Sequence, residues 1–313
     1  MSLTIGIDIG GTKVLGGVVA DDGTVVTSRL RSTPATDVAA IRGVIVDLVA
    51  ELRREHEVGA VGIGAAGWID ASRSTVQFAP NLAWRDEPLR ELLSAHIDLP
   101  IVVENDANVA TWAEFRYGAA AEADSAALFT VGTGIGGGIV IDGNLVRGAH
   151  GIAAEFGHTL AVPGGRECGC GRHGCLEQYA SGNALVRFAK RAATEDPDRA
   201  TALLKAADND VDAIDGPMVT EAARGGDPVS IAAFEDIGEY LGEALADIAQ
   251  LLDPDVIVIG GGVINAGDLL LEPARRRYRE ALAARSRIDA AVVVPARMGP
   301  MAGIVGAADL ARR

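Results

Sequence analysis

Thr4-Ile5-Gly6-Ile7-Asp8-Ile9-Gly10-Gly11-Thr12-Lys13 begins the chain as an apolar strand broken by a Gly/Thr turn. Ala126-Ala127-Leu128-Phe129-Thr130-Val131-Gly132-Thr133-Gly134 does the same again far downstream. Around each copy the pattern continues alike. After the first turn, apolar residues resume over Val14–Ala20, Asp21-Asp22-Gly23 turns the chain, and Thr24–Leu30 follows. After the second come Gly136–Ile141, an Asp142-Gly143 hairpin signal and Asn144–Arg147. Three short strands with glycine turns read as an antiparallel meander. Two such openings predict two related α/β halves facing one cleft.

Between and beyond them the periods alternate between strand and helix. Ile41, Val44, Ile45, Leu48, Val49 and Leu52 recur at helical spacing within 38–54. Residues 60–64 and 101–104 read as buried strands, and 87–96 as a helix. A helix is expected over 107–117, capped by Asn105 or Asp106. Asp227-Pro228 starts a long helix, with Asp as N-cap and Pro in the first turn. Val256–Ile259 is a strand running into Gly260-Gly261-Gly262, and 303–313 a small-residue helix. Residues 191–218 are polar, with helices and loops expected.

Composition narrows the function classes. The 313 residues are 49% hydrophobic and 23% charged, an ordinary globular balance. A net charge of −15 disfavours nucleic acid, an anionic membrane or a long polyanion as main partner. The uncharged run 125–141 is too short and too glycine-rich to span a bilayer. The opening strand leaves no signal-peptide pattern, so a cytoplasmic protein is expected.

Four motifs carry chemistry. Asp8-Ile9-Gly10-Gly11-Thr12-Lys13 suits a phosphate: glycine amides approach the oxygens, Thr adds a hydroxyl and Lys a charge. Its order differs from a Walker loop, and a plain hairpin turn is the alternative. Gly132-Thr133-Gly134-Ile135-Gly136-Gly137 fits G-x-G-x-x-G in letters only. It opens a strand rather than a helix, which excludes a dinucleotide fingerprint and leaves a second phosphate turn. All three cysteines, Cys168, Cys170 and Cys175, crowd one window with His158 upstream. Cys₃His closes a tetrahedral zinc sphere, which makes the metal structural; three unrelated buried thiols are the alternative. His150 and His173 compete with His158 as fourth ligand. Glu155 and Glu177 flank this cluster, either as polyol ligands or as surface or capping carboxylates. Finally, Asp106 lies where a strand ends and a helix begins. It is either a general base or an N-cap.

These residues, with Glu104-Asn105-Asp106-Ala107-Asn108, Glu155-Phe156-Gly157-His158 and Cys168-x-Cys170-Gly171-x-x-Gly174-Cys175-Leu176-Glu177 in one order, make the chain resemble the ROK family of sugar kinases and repressors. Within it the motifs look most like those of ATP-dependent bacterial glucokinases. The resemblance implies two actin-like (ribonuclease H-like) α/β domains: a small one over 1–108 plus about 299–313, and a large one over 109–298 with the zinc motif. It implies phosphorylation of glucose at its 6-hydroxyl, with Asp106 as catalytic base and Asn105, Asp106, Glu155, His158 and Glu177 as sugar ligands. His158, Cys168, Cys170 and Cys175 would bind zinc. Gly10, Gly11, Thr12, Lys13, Thr133 and Gly134 would hold the ATP phosphates, Gly261 and Gly262 the adenosine, and Asp8 would be an outer-shell partner of Mg²⁺. A dimer or tetramer is expected. The alternatives are another hexose (N-acetylmannosamine, N-acetylglucosamine, fructose, allose), polyphosphate as donor, or a sugar-sensing regulator. The regulator reading is the weaker, since no helix-turn-helix fits ahead of Asp8.

Overall fold

A computed structural model describes residues 2–79, 82–283 and 290–313. The first half opens with β1 (Thr4–Ile9), β2 (Lys13–Val19) and β3 (Val25–Ser32), followed by helix α1 (Val38–Glu55) and β4 (Val61–Ala65). A small antiparallel sheet of β5 (Trp68–Ile69), β6 (Val76–Phe78) and β7 (Arg85–Glu87) precedes the short α2 (Leu89–Ser94). Then come β8 (Ile101–Asn105) and α3 (Asp106–Tyr117). Of the helix expected over 87–96, only α2 forms, because Pro88 precedes it and Arg85–Glu87 pairs with β6.

The second half holds β9 (Ala126–Val131), β10 (Ile135–Ile141), β11 (Asn144–Leu145), α4 (Glu177–Ala180) and α5 (Gly182–Glu195). It continues through α6 (Thr201–Ala206), α7 (Gly216–Arg224), α8 (Pro228–Leu252), β12 (Val256–Gly260), α9 (Asp268–Ala283), β13 (Val292–Pro295) and α10 (Ala302–Arg312).

The two main sheets have the orders β3-β2-β1-β4-β8 and β11-β10-β9-β12-β13. They match strand for strand, so the repeat read from the two glycine turns is a repeat of topology. In the first sheet β1 pairs antiparallel with β2, while β4 joins β1 and β8 joins β4 in parallel. That sheet buries Ile5, Ile7, Ile63 and Val103 with Ile41, Ile45 and Leu52 of α1.

By compactness the chain divides into two units. The first comprises residues 1–128, 137–154 and 296–313, the second 129–136 and 155–295. A boundary after residue 108 would cut α3 in two. In space α3 stays whole in the first unit, where Val109 and Trp112 pack with Ala307 and Leu310 of α10. α10 also lies directly on the first sheet. A Cβ on Gly6 or Gly62 would overlap the carbonyl of Ile304 or Ala307, so glycine is what permits the approach.

In the second unit α8 is the spine. Asp227 caps it, accepting from Ser230 N at 2.9 Å, and Phe234, Ile237, Leu241 and Leu245 are buried along it. α9 approaches it closely at Gly238 and Gly242. No helix among the described residues is long and apolar enough to cross a membrane.

Candidate functional site

The first unit gathers carboxylates at the ends of parallel strands. β8 ends at Asn105, and α3 begins with Asp106. Asn105 is the N-cap: its Oδ1 accepts from Asn108 N at 3.0 Å, and its Nδ2 donates to Gly67 O at 3.0 Å. Asp106 is therefore released from capping. Its Oδ1 accepts from Ala107 N at 2.9 Å and from Asn105 Nδ2 at 3.2 Å. Burial pushes the Asp106 carboxyl up to about 6, against the pull of those hydrogen bonds.

Asp8 stands on β1 beside it. Burial, and next the charge of Asp106, push Asp8 up to about 7. Space for that carboxyl comes from Gly303 of α10, where a Cβ would lie 2.5 Å from Asp8 Cγ. Carboxylates raised by burial and by a like charge cluster at functional sites, which makes this pair a candidate. The first Gly/Thr turn follows Asp8. Gly10 N donates to Lys13 O at 2.9 Å, and Thr33 ties the turn down through Gly10 O at 2.8 Å. The Thr12 and Lys13 side chains are left exposed, as phosphate ligands must be.

The sequence reading missed the support beneath Asn105 and Asp106. Glu104 is 1% exposed and holds Arg73 Nε at 3.0 Å and Arg147 Nε at 2.7 Å. Its other oxygen accepts from Asn105 N at 3.0 Å and Asn108 Nδ2 at 3.1 Å. Arg147 in turn donates to Asp70 O and Ala71 O. Neither arginine sits in a recognisable motif, so only the position of Glu104 next to Asn105 could have hinted at them.

The second unit brings His158, Cys168, Cys170 and Cys175 together, with one ligand atom of each within 4.8 Å of all the others. Cys170 Sγ to Cys175 Sγ is 3.7 Å, and Cys168 Sγ to His158 Nδ1 is 3.7 Å. A tetrahedron of zinc–thiolate bonds has edges of about 3.8 Å. The donor set and spacing therefore fit zinc. His158 rather than His150 or His173 completes the group. Its Nδ1 faces the thiols, which leaves Nε2 for another partner.

Glu177 opens α4 two residues after Cys175. Its Oε1 lies 3.8 Å from Cys168 Sγ, and its Oε2 accepts from Ile135 N at 3.2 Å. Glu155 precedes the one-turn 3-10 helix 156–158, whose His158 N donates to Glu155 O at 3.0 Å. The second Gly/Thr turn closes by Gly132 N to Gly134 O at 2.9 Å, and Gly182 N of α5 donates to Gly132 O at 2.7 Å. Thr133 and Gly262 line one cavity of about 510 Å³ together with Asn183, Gly216 and Glu221. Gly261 has φ +86° and packs on the Val131 backbone, so it anchors the strand end beside that cavity. Asn183, Gly216 and Glu221 were not foreseen: they come from α5 and α7, whose starts carry no motif beyond ordinary caps.

Two actin-like α/β halves with a Cys₃His knot define a class of sugar kinases and their relatives. The sequence profile of the ROK family matches residues 4–313, and the chain belongs to that family. It is 48% identical over 312 residues to a glucokinase of Streptomyces coelicolor, covering 100% of this chain and 98% of that protein. Among solved structures, a ROK glucokinase from Streptomyces griseus in complex with glucose and AMPPNP superimposes with a TM-score of 0.90. It is 49% identical and covers 99% of both chains. A ROK hexokinase from Thermus thermophilus gives 0.84 at 33% identity, over 99% of this chain and 98% of that one.

Proposed function

We propose that the protein is an ATP-dependent glucokinase that transfers the γ-phosphoryl group of ATP to the 6-hydroxyl of glucose. The observation that carries this reading is the full-length likeness, near one residue in two, to glucokinases, one of them solved with glucose and a nucleotide. The geometry supplies the chemistry. Asp106, not needed as a cap, accepts the 6-hydroxyl proton as that oxygen attacks the γ-phosphorus, giving glucose 6-phosphate and ADP. A carboxyl near 6 is ionised at neutral pH yet basic enough to take a proton.

Asn105, Asp106, Glu155, His158 and Glu177 are assigned to the sugar hydroxyls. Gly10, Gly11, Thr12, Lys13, Thr133 and Gly134 are assigned to the phosphates. Gly261 and Gly262 are assigned to adenosine, at the cavity that Gly262 lines. Asp8, a desolvated carboxylate beside a second one, suits a Mg²⁺ whose charge would screen the phosphates. Zinc would hold His158, Cys168, Cys170 and Cys175 and act structurally. We assign the protein to the cytoplasm, on its reduced cysteines, and to a homo-oligomer that binds neither nucleic acid nor membrane. Light scattering tests the oligomer.

The decisive experiment is a matrix of donors (ATP, GTP, polyphosphate) against sugars. Glucose with ATP should give the highest kcat/KM. A higher value with N-acetylmannosamine, N-acetylglucosamine, fructose or allose moves the assignment to that sugar. No turnover with any pair favours a sensor.

A further inference from the structure

Ile135 is the last residue of the second Gly/Thr turn and the first of β10, and it is gripped from two sides. Its N–H donates to Glu177 Oε2 at 3.2 Å. Its carbonyl lies so close to Gly157 that a Cβ there would overlap it. A Cβ on Gly134 would likewise overlap Glu177 Oε2, so the carboxylate lies directly over the turn. Both grips belong to the metal knot. Gly157 adjoins His158, and Glu177 follows Cys175, with its Oε1 3.8 Å from Cys168 Sγ.

We infer that Glu177 is a positioning residue for the nucleotide: the cysteine cluster aims its carboxylate, and the carboxylate fixes the 132–136 turn. The inference rests on the proposed ATP site but goes beyond Glu177 as a sugar ligand. Turn amides bind phosphate well only when they already point the right way. One carboxylate oxygen on Ile135 N–H supplies that order before any ligand arrives, leaving the other oxygen between the cluster and a sugar hydroxyl. Sugar, metal and nucleotide then meet at a single side chain.

The test uses the zinc-loaded protein and two variants. Glu177→Gln keeps an acceptor for Ile135 N–H but loses the charge. Glu177→Ala loses both. Binding of AMPPNP with Mg²⁺ is measured by calorimetry without sugar, glucose binding without nucleotide, and amide exchange over residues 132–138 without either. Glu177→Ala should weaken AMPPNP binding roughly tenfold or more and speed exchange at Ile135 by a similar factor, as expected for losing a hydrogen bond to a charged group. Glu177→Gln should restore most of both while glucose binding stays weak. If both variants weaken glucose alone and leave Ile135 exchange unchanged, Glu177 is only a sugar ligand and the inference falls. If the turn loosens in Glu177→Ala but the wild type binds no nucleotide, the inference of a fixed turn stands and the ATP reading fails. Cys168→Ser, provided circular dichroism shows it folded, should weaken AMPPNP as Glu177→Ala does; wild-type affinity there would remove the cluster from the chain of cause.

Discussion

Asp106 and Asn105 divide a task that sequence leaves ambiguous. Both residue types cap helices well, and the strand-to-helix junction fits either. The structure gives the cap to Asn105 Oδ1, so the Asp106 carboxyl is spent on little besides Ala107 N and Asn105 Nδ2. Asp106→Asn should therefore keep the fold and, since burial raises this carboxyl too, should not lower the melting temperature at neutral pH, while lowering kcat by about 10²–10⁴-fold, the usual worth of a general base. Steady-state kinetics beside a thermal melt checks this, and wild-type kcat would return the residue to a structural role. The base must be ionised, so kcat/KM should fall as pH drops through about 6, tending to tenfold per unit. Asp8 offers a stability test with a defined sign. Its carboxyl is raised from 3.8 to about 7, so the folded chain holds that proton more tightly than the unfolded one. The stability this gives is present below pH 4 and is lost as pH rises through about 7. Asp8→Asn should thus raise the melting temperature by a few degrees at pH 8 and by less at pH 5. An equal change at both pH values would mean that Asp8 is not desolvated as described.

At the scale of elements, α10 shows how one helix serves fold and site with the same residue type. Gly6, Gly62 and Gly306 each oppose a backbone carbonyl, of Ile304, Ala307 and Val109 respectively, which has nowhere to go. Gly303 opposes the side chain of Asp8 instead. Alanine at Gly62 should then cost stability, about 1–3 kcal/mol or more as overpacking does. Alanine at Gly303 should cost activity first, by displacing the Asp8 carboxyl while the helix stays seated. Chemical denaturation and kcat, measured on both variants, should separate them; equal loss of stability would erase the distinction. None of this was legible in the sequence, where the glycines looked like turn formers. What was legible had a period or a cap: the meander at 4–30, α1, the β8–α3 junction, and α8 with its Asp227-Pro228 start. α9 passed unread because Pro273 interrupts its pattern, and β5–β7 because strands of two or three residues carry no period. The Glu104–Arg73–Arg147 cluster was hidden for another reason: its partners lie far apart in sequence and meet only through the fold. Glu104→Gln should destabilise by about 1.5–3 kcal/mol, because it takes the charge out of the contacts to Arg147 and Arg73, whose side chains are 12% and 30% exposed.

For the whole molecule, the two halves share a strand order but not a means of holding their loops. Residues 159–176 of the second unit contain neither helix nor strand, only the isolated bridges Leu160–Cys175 and Glu167–His173. Yet Cys168 and Cys175 are buried there, and Glu177 depends on that segment for its position. This stretch is tied by local turn bonds such as Cys168 N to Arg172 O and Gly174 N to Arg166 O, each 2.8 Å, rather than by a helix or sheet packed on a core, and it must still offset an ordering entropy of about 1–2 kcal/mol per residue. Zinc held by the four ligands at tetrahedral spacing would be the compensation, since zinc in small folded modules contributes about 10–16 kcal/mol. Purified protein should contain one zinc per chain by elemental analysis, and Cys170→Ser should lose it. The loss should be local. Amide exchange should quicken over 155–180 and at the 132–136 turn that this segment grips, while β1, β4 and α10 of the first unit keep their protection. Wild-type protein that is folded and free of metal would remove zinc from the account. Exchange that rises uniformly through both units would instead make the metal a support of global stability, and the sugar and nucleotide residues it carries merely its neighbours.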